Sequence, residues 1–166
     1  TAAFAHTTTD NLVIGQEAYL HTHRDRFHEL FNAVAALTGS RPRILEFGTS
    51  EASRLYRQIR PGCTLVTADR PVADDYIGFT ADKSRALAQS SDHVAIDLET
   101  ADTGTHPGLR RQRPYDLIVL TEVLEHLIAD PEALIAGLVS HLREGGFLYL
   151  TTPNFLARGH RRAIVQ

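Results

Sequence analysis

Apolar positions along the chain fall into two kinds of run, and the two kinds alternate. From about Gln16 to Leu37, Leu20, Phe27, Leu30, Phe31, Val34 and Leu37 recur at three-, four- and seven-residue spacings, which predicts one buried face of a helix. Gly39 and Pro42 end it. Arg43 to Gly48 then reads as a short buried strand closed by glycine. Ala52, Leu55, Tyr56 and Ile59 restore helical spacing between Ser50 and Arg60, and Pro61-Gly62 breaks it. Thr64 to Asp69 is a second strand, ending in an acid. A helical stretch around Ala81 to Gln89 leads to a third strand, His93 to Ile96, which again runs into an acid, Asp97.

The second half repeats the scheme. Tyr115 to Leu120 is nearly continuous in apolar residues, so this fourth strand is expected to be covered on both faces. A short helix is expected over Val123 to Ile128. Asp130-Pro131 supplies an N-cap and a proline at the first helical position. Leu134, Ile135, Leu138 and Leu142 form the inner stripe of that helix, Gly145-Gly146 stops it, and Phe147 to Thr151 is the fifth strand. Alternating strands and helices predict an α/β domain, doubly wound, with a mainly parallel sheet and helices on both faces. Ligands of such sheets sit outside the carboxyl ends of the strands, at the point where strand order reverses.

Composition narrows the classes. The chain has 166 residues, 43% hydrophobic and 22% charged, which suits one domain with a sizeable core. No apolar run approaches the roughly 20 residues of a membrane helix. Thr1 to Asp10 lacks the basic start and apolar centre of a secretory leader. A single cysteine, Cys63, forms no internal disulfide and reads as a small residue entering a strand, which points to a reducing, cytoplasmic setting. The net charge of -3 disfavours nucleic acid as a partner. Two basic clusters, Arg110, Arg111 and Arg113 in a loop and Arg158, His160, Arg161 and Arg162 near the end, read as solvated surface. His21, His23 and His28 are also read as polar surface, because their spacing does not place them together. The chain starts without methionine and contains none, which suggests a processed, trimmed or incomplete product.

Candidate chemistry collects at the predicted carboxyl ends. Gly48 closes the first strand just before a helix, where a missing Cβ and unpaired helical N–H groups allow a ligand close approach. Asp69 follows about 20 residues later at the end of the second strand, the place of an acid that accepts hydrogen bonds from an adenosine ribose. Asp97 adds a third acid at the next strand end.

Tyr115 to Leu127, with its Glu122-Val123-Leu124-Glu125-His126-Leu127 stretch, closely resembles the fourth motif of class I S-adenosylmethionine-dependent methyltransferases. It is similar to the subgroup that includes ubiquinone-pathway O-methyltransferases and natural-product-modifying enzymes. Leu142 to Asn154, ending in Thr151-Thr152-Pro153-Asn154, resembles the same subgroup's passage through strand five. The resemblance covers roughly residues 40 to 155. It implies a Rossmann-like fold, S-adenosylmethionine as cofactor, and methyl transfer to an oxygen or nitrogen of a small-molecule acceptor. It further implies that Glu46, Gly48 and Ser50 hold the methionine part, Asp69 the ribose, and Arg70, Asp97 and Leu98 the adenine. Thr121 and Glu122 would line the floor near the sulfonium, with Glu125, His126 and the loop around Asn154 facing the acceptor.

The domain plan expected from this is a loose segment over 1–15, a packing helix over 16–39, the cofactor-binding core over 40–156 and a basic tail over 157–166. Ser50 and Ala52 depart from the family's repeated glycines, and the carboxyl-terminal part is expected to be incomplete, since family cores carry two more strands. If a helix starts at Glu122, then Glu122, Glu125 and His126 share one face. They would suit a divalent ion; His126 as general base or substrate-orienting group, with Glu125, is preferred to that, because imidazole titrates near neutrality, and plain structural capping is the third reading. Two other functions stay open: a non-catalytic unit that binds an adenosine cofactor or a partner through a degenerate glycine loop, and a nicotinamide-dependent oxidoreductase. The absence of Gly-x-Gly-x-x-Gly argues against the second. The acceptor, the choice of O- or N-methylation and the oligomeric state are not encoded in any motif.

Overall fold

The computed structural model describes residues 21–49, 53, 55–71 and 92–153. Its elements are α1 (Arg24–Leu37), β1 (Arg43–Phe47), α2 (Leu55–Ile59), β2 (Thr64–Asp69), β3 (Asp92–Ala95), α3 (Pro107–Gln112), β4 (Tyr115–Thr121), a 3₁₀ turn (Leu124–His126), α4 (Pro131–Val139) and β5 (Leu142–Thr151). The strands form one sheet in the order β3-β2-β1-β4-β5, and every pairing is parallel. The chain builds outward from β1 to β3, then returns to lay β4 on the other side of β1. Strand order therefore reverses between β1 and β4, as expected for a doubly wound, Rossmann-like sheet.

The period-two alternation of the central strands explains the layers. Ile44, Leu65, Leu117 and Val119 face α1 and α2, where they meet Phe27, Leu30, Phe31, Val34, Leu55 and Tyr56. Leu45, Phe47, Val66, Ala68, Ile118 and Leu120 face the other way, toward Leu109 of α3 and Leu134 and Leu138 of α4. Each Leu, Ile, Val or Phe among them contributes about 1.5–3 kcal/mol when fully buried. Cys63 is buried just ahead of β2. At the amino edge, Asp116 accepts the Arg43 N–H at 2.7 Å and pairs with the Arg143 guanidinium, tying the starts of β1, β4 and β5 together.

Four sequence expectations change. Leu142 does not continue the stripe of α4: the helix ends at Val139 and β5 starts at Leu142. Gly145, expected as a helix stop, lies inside that strand with φ +70, where the register slips from Tyr115↔Leu142 to Leu117↔Phe147. Arg110 and Arg111 sit on α3 rather than in a loop, and Arg111 pairs with Asp92 at 2.9 Å. The helix expected over Val123 to Ile128 is only the 3₁₀ turn. That segment has no backbone continuity with a helix because Glu122 adopts φ +54. The stretch expected to be helical around Ala81 to Gln89 lies outside the described residues.

Helix α4 is seated on the loop after β3 through Gly137. A Cβ there would stand 2.1 Å from Thr103 Oγ1 and 2.8 Å from the Gly104 nitrogen. Thr103 is buried, donates to Leu134 O at 3.3 Å, and its carbonyl lies 2.7 Å from His141 Nε2. Gly137→Ala should therefore lower stability by about 1–3 kcal/mol, the usual cost of overpacking. Chemical denaturation would read this as a lower midpoint with an unchanged slope.

Candidate functional site

Parallel strands end together, so the carboxyl edge carries Asp69 from β2, Gly48 after β1, Thr121 from β4 and Thr151 from β5 side by side. Gly48 N–H donates to Ala68 O at 3.2 Å, Ile96 N–H to Asp69 O at 2.9 Å and Glu122 N–H to Thr151 O at 3.1 Å, extending the sheet by one bond at each seam. Gly48 has φ +76, and a Cβ on it would lie 2.9 Å from Val123 Cγ2. Glycine is required there both by backbone conformation and by the neighbouring turn.

Behind this edge lies a buried acid. Glu46 points to the α1/α2 face, among Ser53 and Tyr56 and beside the buried Thr67 of β2. Burial pushes its carboxyl up to about 8, against the pull of the Ser53 and Tyr56 hydroxyls, while Asp69 adds to the rise. Its Oε2 is buried without a hydrogen-bond partner, as is Thr49 Oγ1. The Tyr56 hydroxyl lies near enough to affect the carboxyl but completes no well-formed hydrogen bond. An unpaired carboxyl oxygen beside a left-handed glycine turn is a place where a ligand ammonium would complete the hydrogen bonding.

On the outer side, the first carboxylate oxygen of Asp69 accepts the Arg70 N–H at 2.8 Å. The Arg70 side chain crosses to Asp97, 3.2 Å away. The Glu99 N–H and then the Arg70 guanidinium hold the Asp97 carboxyl below its ordinary range. Leu98 turns into the core and is buried with Leu109 and Leu134, so what reaches the edge at this strand is Asp97.

On the inner side, Glu122 is anchored three times. Besides its N–H bond to Thr151 O, its carboxylate accepts the Thr151 hydroxyl at 2.9 Å and pairs with Arg26 of α1 at 3.3 Å. His23, one turn before Arg26, is held below its ordinary pKa by burial and by Arg26, with Glu122 acting in the opposite sense. Glu125 and His126 lie apart from this cluster. Glu125 keeps only 9% of its side chain exposed and its Oε2 is buried without a partner, whereas His126 is 76% exposed with Nε2 3.8 Å from Glu125 Oε1. The one-face arrangement of Glu122, Glu125 and His126 therefore does not form, because a left-handed residue precedes the turn. Among the described residues no three His, Cys, Asp or Glu side chains converge as a metal site.

Glu46, Gly48, Asp69, Arg70, Asp97, Thr121 and Glu122 thus come to one edge, while Ser50 and Asn154 lie outside the described residues. Sequence reading missed Arg26, Ser53, Tyr56 and Glu99, and took His23 for plain surface. Arg26 borders the inner stripe of α1, yet nothing in the local pattern says which strand end that helix meets.

The methyltransferase domain family matches residues 19–164. No curated protein matches the chain by sequence. Among solved structures, the chain is similar to a protein of Nostoc punctiforme described as an O-methyltransferase (16% identity, 75% of this chain and 36% of that one, TM-score 0.51). It is also similar to the StiE O-methyltransferase region, residues 942–1257 (21% identity, 82% and 45%, TM-score 0.55). A third is the MycE methyltransferase of the mycinamycin biosynthetic pathway, solved with Mg and S-adenosylhomocysteine (15% identity, 89% and 36%, TM-score 0.51). The chain spans less than half the length of each, and at these identities the likeness is one of fold. Among the described residues no helix is long and apolar enough to cross a membrane.

Proposed function

The chain belongs to the methyltransferase domain family, and from that premise we propose that it binds S-adenosylmethionine at the carboxyl edge and transfers its methyl group to an oxygen or nitrogen of a small-molecule acceptor. The observation that carries this reading is Glu46, a buried carboxyl with an unpaired oxygen two residues before the left-handed turn at Gly48. The cofactor supplies an activated methyl group on a sulfonium; the protein's part is to align it and exclude water.

In this reading Glu46 receives the ammonium of the methionine part and Gly48 leaves room for its backbone-side approach, with Ser50 assigned to the same part by resemblance alone. Asp69 accepts hydrogen bonds from the ribose hydroxyls, and Arg70 and Asp97 border the adenine, while Leu98, assigned there by resemblance, packs into the core behind them. Thr121 and Glu122 form the floor. Glu125 and His126 face the acceptor, with His126 as base or orienting group, in keeping with the motif of the ubiquinone-pathway and natural-product subgroup. The exposure of His126 suits a group that meets a partner arriving from solvent; it also suits a non-catalytic binding unit, which is the second reading. The solved MycE complex with S-adenosylhomocysteine supports the choice of cofactor.

Calorimetric titration with S-adenosylmethionine, S-adenosylhomocysteine and NAD tests the proposal. Micromolar binding of the first two and none of NAD is the expected result. Binding of NAD alone would replace this reading with an oxidoreductase, and tight binding without turnover on any acceptor would favour the non-catalytic unit.

A further inference from the structure

The ends of β2 and β4 are not neighbours in the sheet, since β1 stands between them. They are nevertheless joined by a run of polar contacts through the loop after β3. Arg70 pairs with Asp97 at 3.2 Å, Asp97 Oδ1 accepts the Glu99 N–H at 3.0 Å, and both Glu99 oxygens lie 3.0 Å from the Ile128 N–H that they accept. Ile128 closes the segment that carries Glu125 and His126. Its own side chain is 95% exposed and His126 is 76% exposed, so neither anchors the segment by packing. Leu124 and Leu127 rest against the core, and the Glu99 carboxylate holds the far end. The loop that provides Glu99 is itself fixed, with Thr103 buried against Gly137 and its carbonyl on His141.

We propose that Glu99 is a positioning residue: its carboxylate clamps the Ile128 amide and so sets the Glu125–His126 turn relative to the Asp69–Asp97 end of the cleft. The part of this that concerns ligand rests on the cofactor reading above. A charged acceptor makes the clamp stronger than a neutral one, and its removal leaves the Ile128 N–H to water, so the far end of the turn loses its polar anchor while Leu124 and Leu127 still pack on the core.

Amide hydrogen exchange on the full chain tests this, because His126 N–H bonds to Val123 O at 3.0 Å and Leu127 N–H to Leu124 O at 3.2 Å and both report on the turn. Without ligand, Glu99→Ala should speed exchange at Ile128 by about 10-fold or more, and Glu99→Gln, which keeps an accepting oxygen, should restore most of the protection. Unchanged Ile128 exchange in Glu99→Ala would overturn the clamp. With saturating S-adenosylhomocysteine, exchange at His126 and Leu127 should slow in the unaltered chain and in Glu99→Gln but not in Glu99→Ala, although all three bind the ligand. Slowing that persists in Glu99→Ala would overturn the positioning role. A chain that takes no S-adenosylhomocysteine would sink the cofactor reading instead, and the ligand-free comparison would still decide the clamp.

Discussion

Raising the pH from 5 to 8.5 should weaken the ligand-free protein by several kcal/mol through Glu46 alone, and Glu46→Gln should remove most of that dependence. The carboxyl ionises near its ordinary value of 4.5 in the unfolded chain but keeps its proton to about 8 in the fold, because burial penalises the charge. Below 4.5 both states hold the proton and the stability is fully present. Between 4.5 and 8 unfolding releases a proton, so stability falls with each pH unit; above 8 both states are ionised and the loss is complete. The interval corresponds to on the order of 4 kcal/mol. Urea unfolding of the two proteins at pH 5, 7 and 8.5 would measure it. Parallel pH profiles would show that Glu46 ionises normally in the fold. Under the proposed function, saturating S-adenosylhomocysteine should blunt the loss in the unaltered protein, since its ammonium would pair with the carboxylate.

Asp69→Ala should weaken S-adenosylhomocysteine binding by about 100- to 10,000-fold while leaving stability within about 0.5 kcal/mol. Each hydrogen bond from a ribose hydroxyl to a carboxylate is worth about 1.5–3 kcal/mol, and two are lost together. The cost to the fold should be small, because the side chain sits half-buried at the open end of β2 and its first oxygen accepts the N–H of the adjacent Arg70. The strand pairing of Asp69 with Ala95 is made by backbone, which alanine keeps. Calorimetry gives the affinity and urea unfolding the stability. Undiminished affinity in Asp69→Ala would move the ribose away from this strand end, and with it the assignment of Arg70 and Asp97 to the adenine.

The two residues also differ in how they could be found. Asp69 was legible as an acid closing an apolar run about 20 residues after a strand-closing glycine, a spacing set by the length of one βαβ unit. Glu46 was legible only by resemblance; as a pattern it is a charged residue inside a buried strand. Its neighbour Tyr56 comes from α2 and Ser53 from just ahead of that helix. That they converge on it depends on how α2 seats on the sheet.

The alternation of apolar runs determined the five strands, the three helices α1, α2 and α4, the two-faced burial of β4 and the gathering of Gly48, Asp69, Asp97 and Thr121 at strand ends. These follow from periods of two and 3.6 residues, which act within a single element. Tertiary structure alone decided the rest. It drew Leu142 out of a helical stripe into β5, where it pairs with Tyr115 just ahead of the register slip. It turned Glu122 left-handed and set it against Arg26 and Thr151, and it carried Glu99 across to Ile128. Those contacts join residues from 29 to 96 positions apart in the chain, so no local period encodes them; they arise where strand order reverses and loops from separate crossovers meet at one edge.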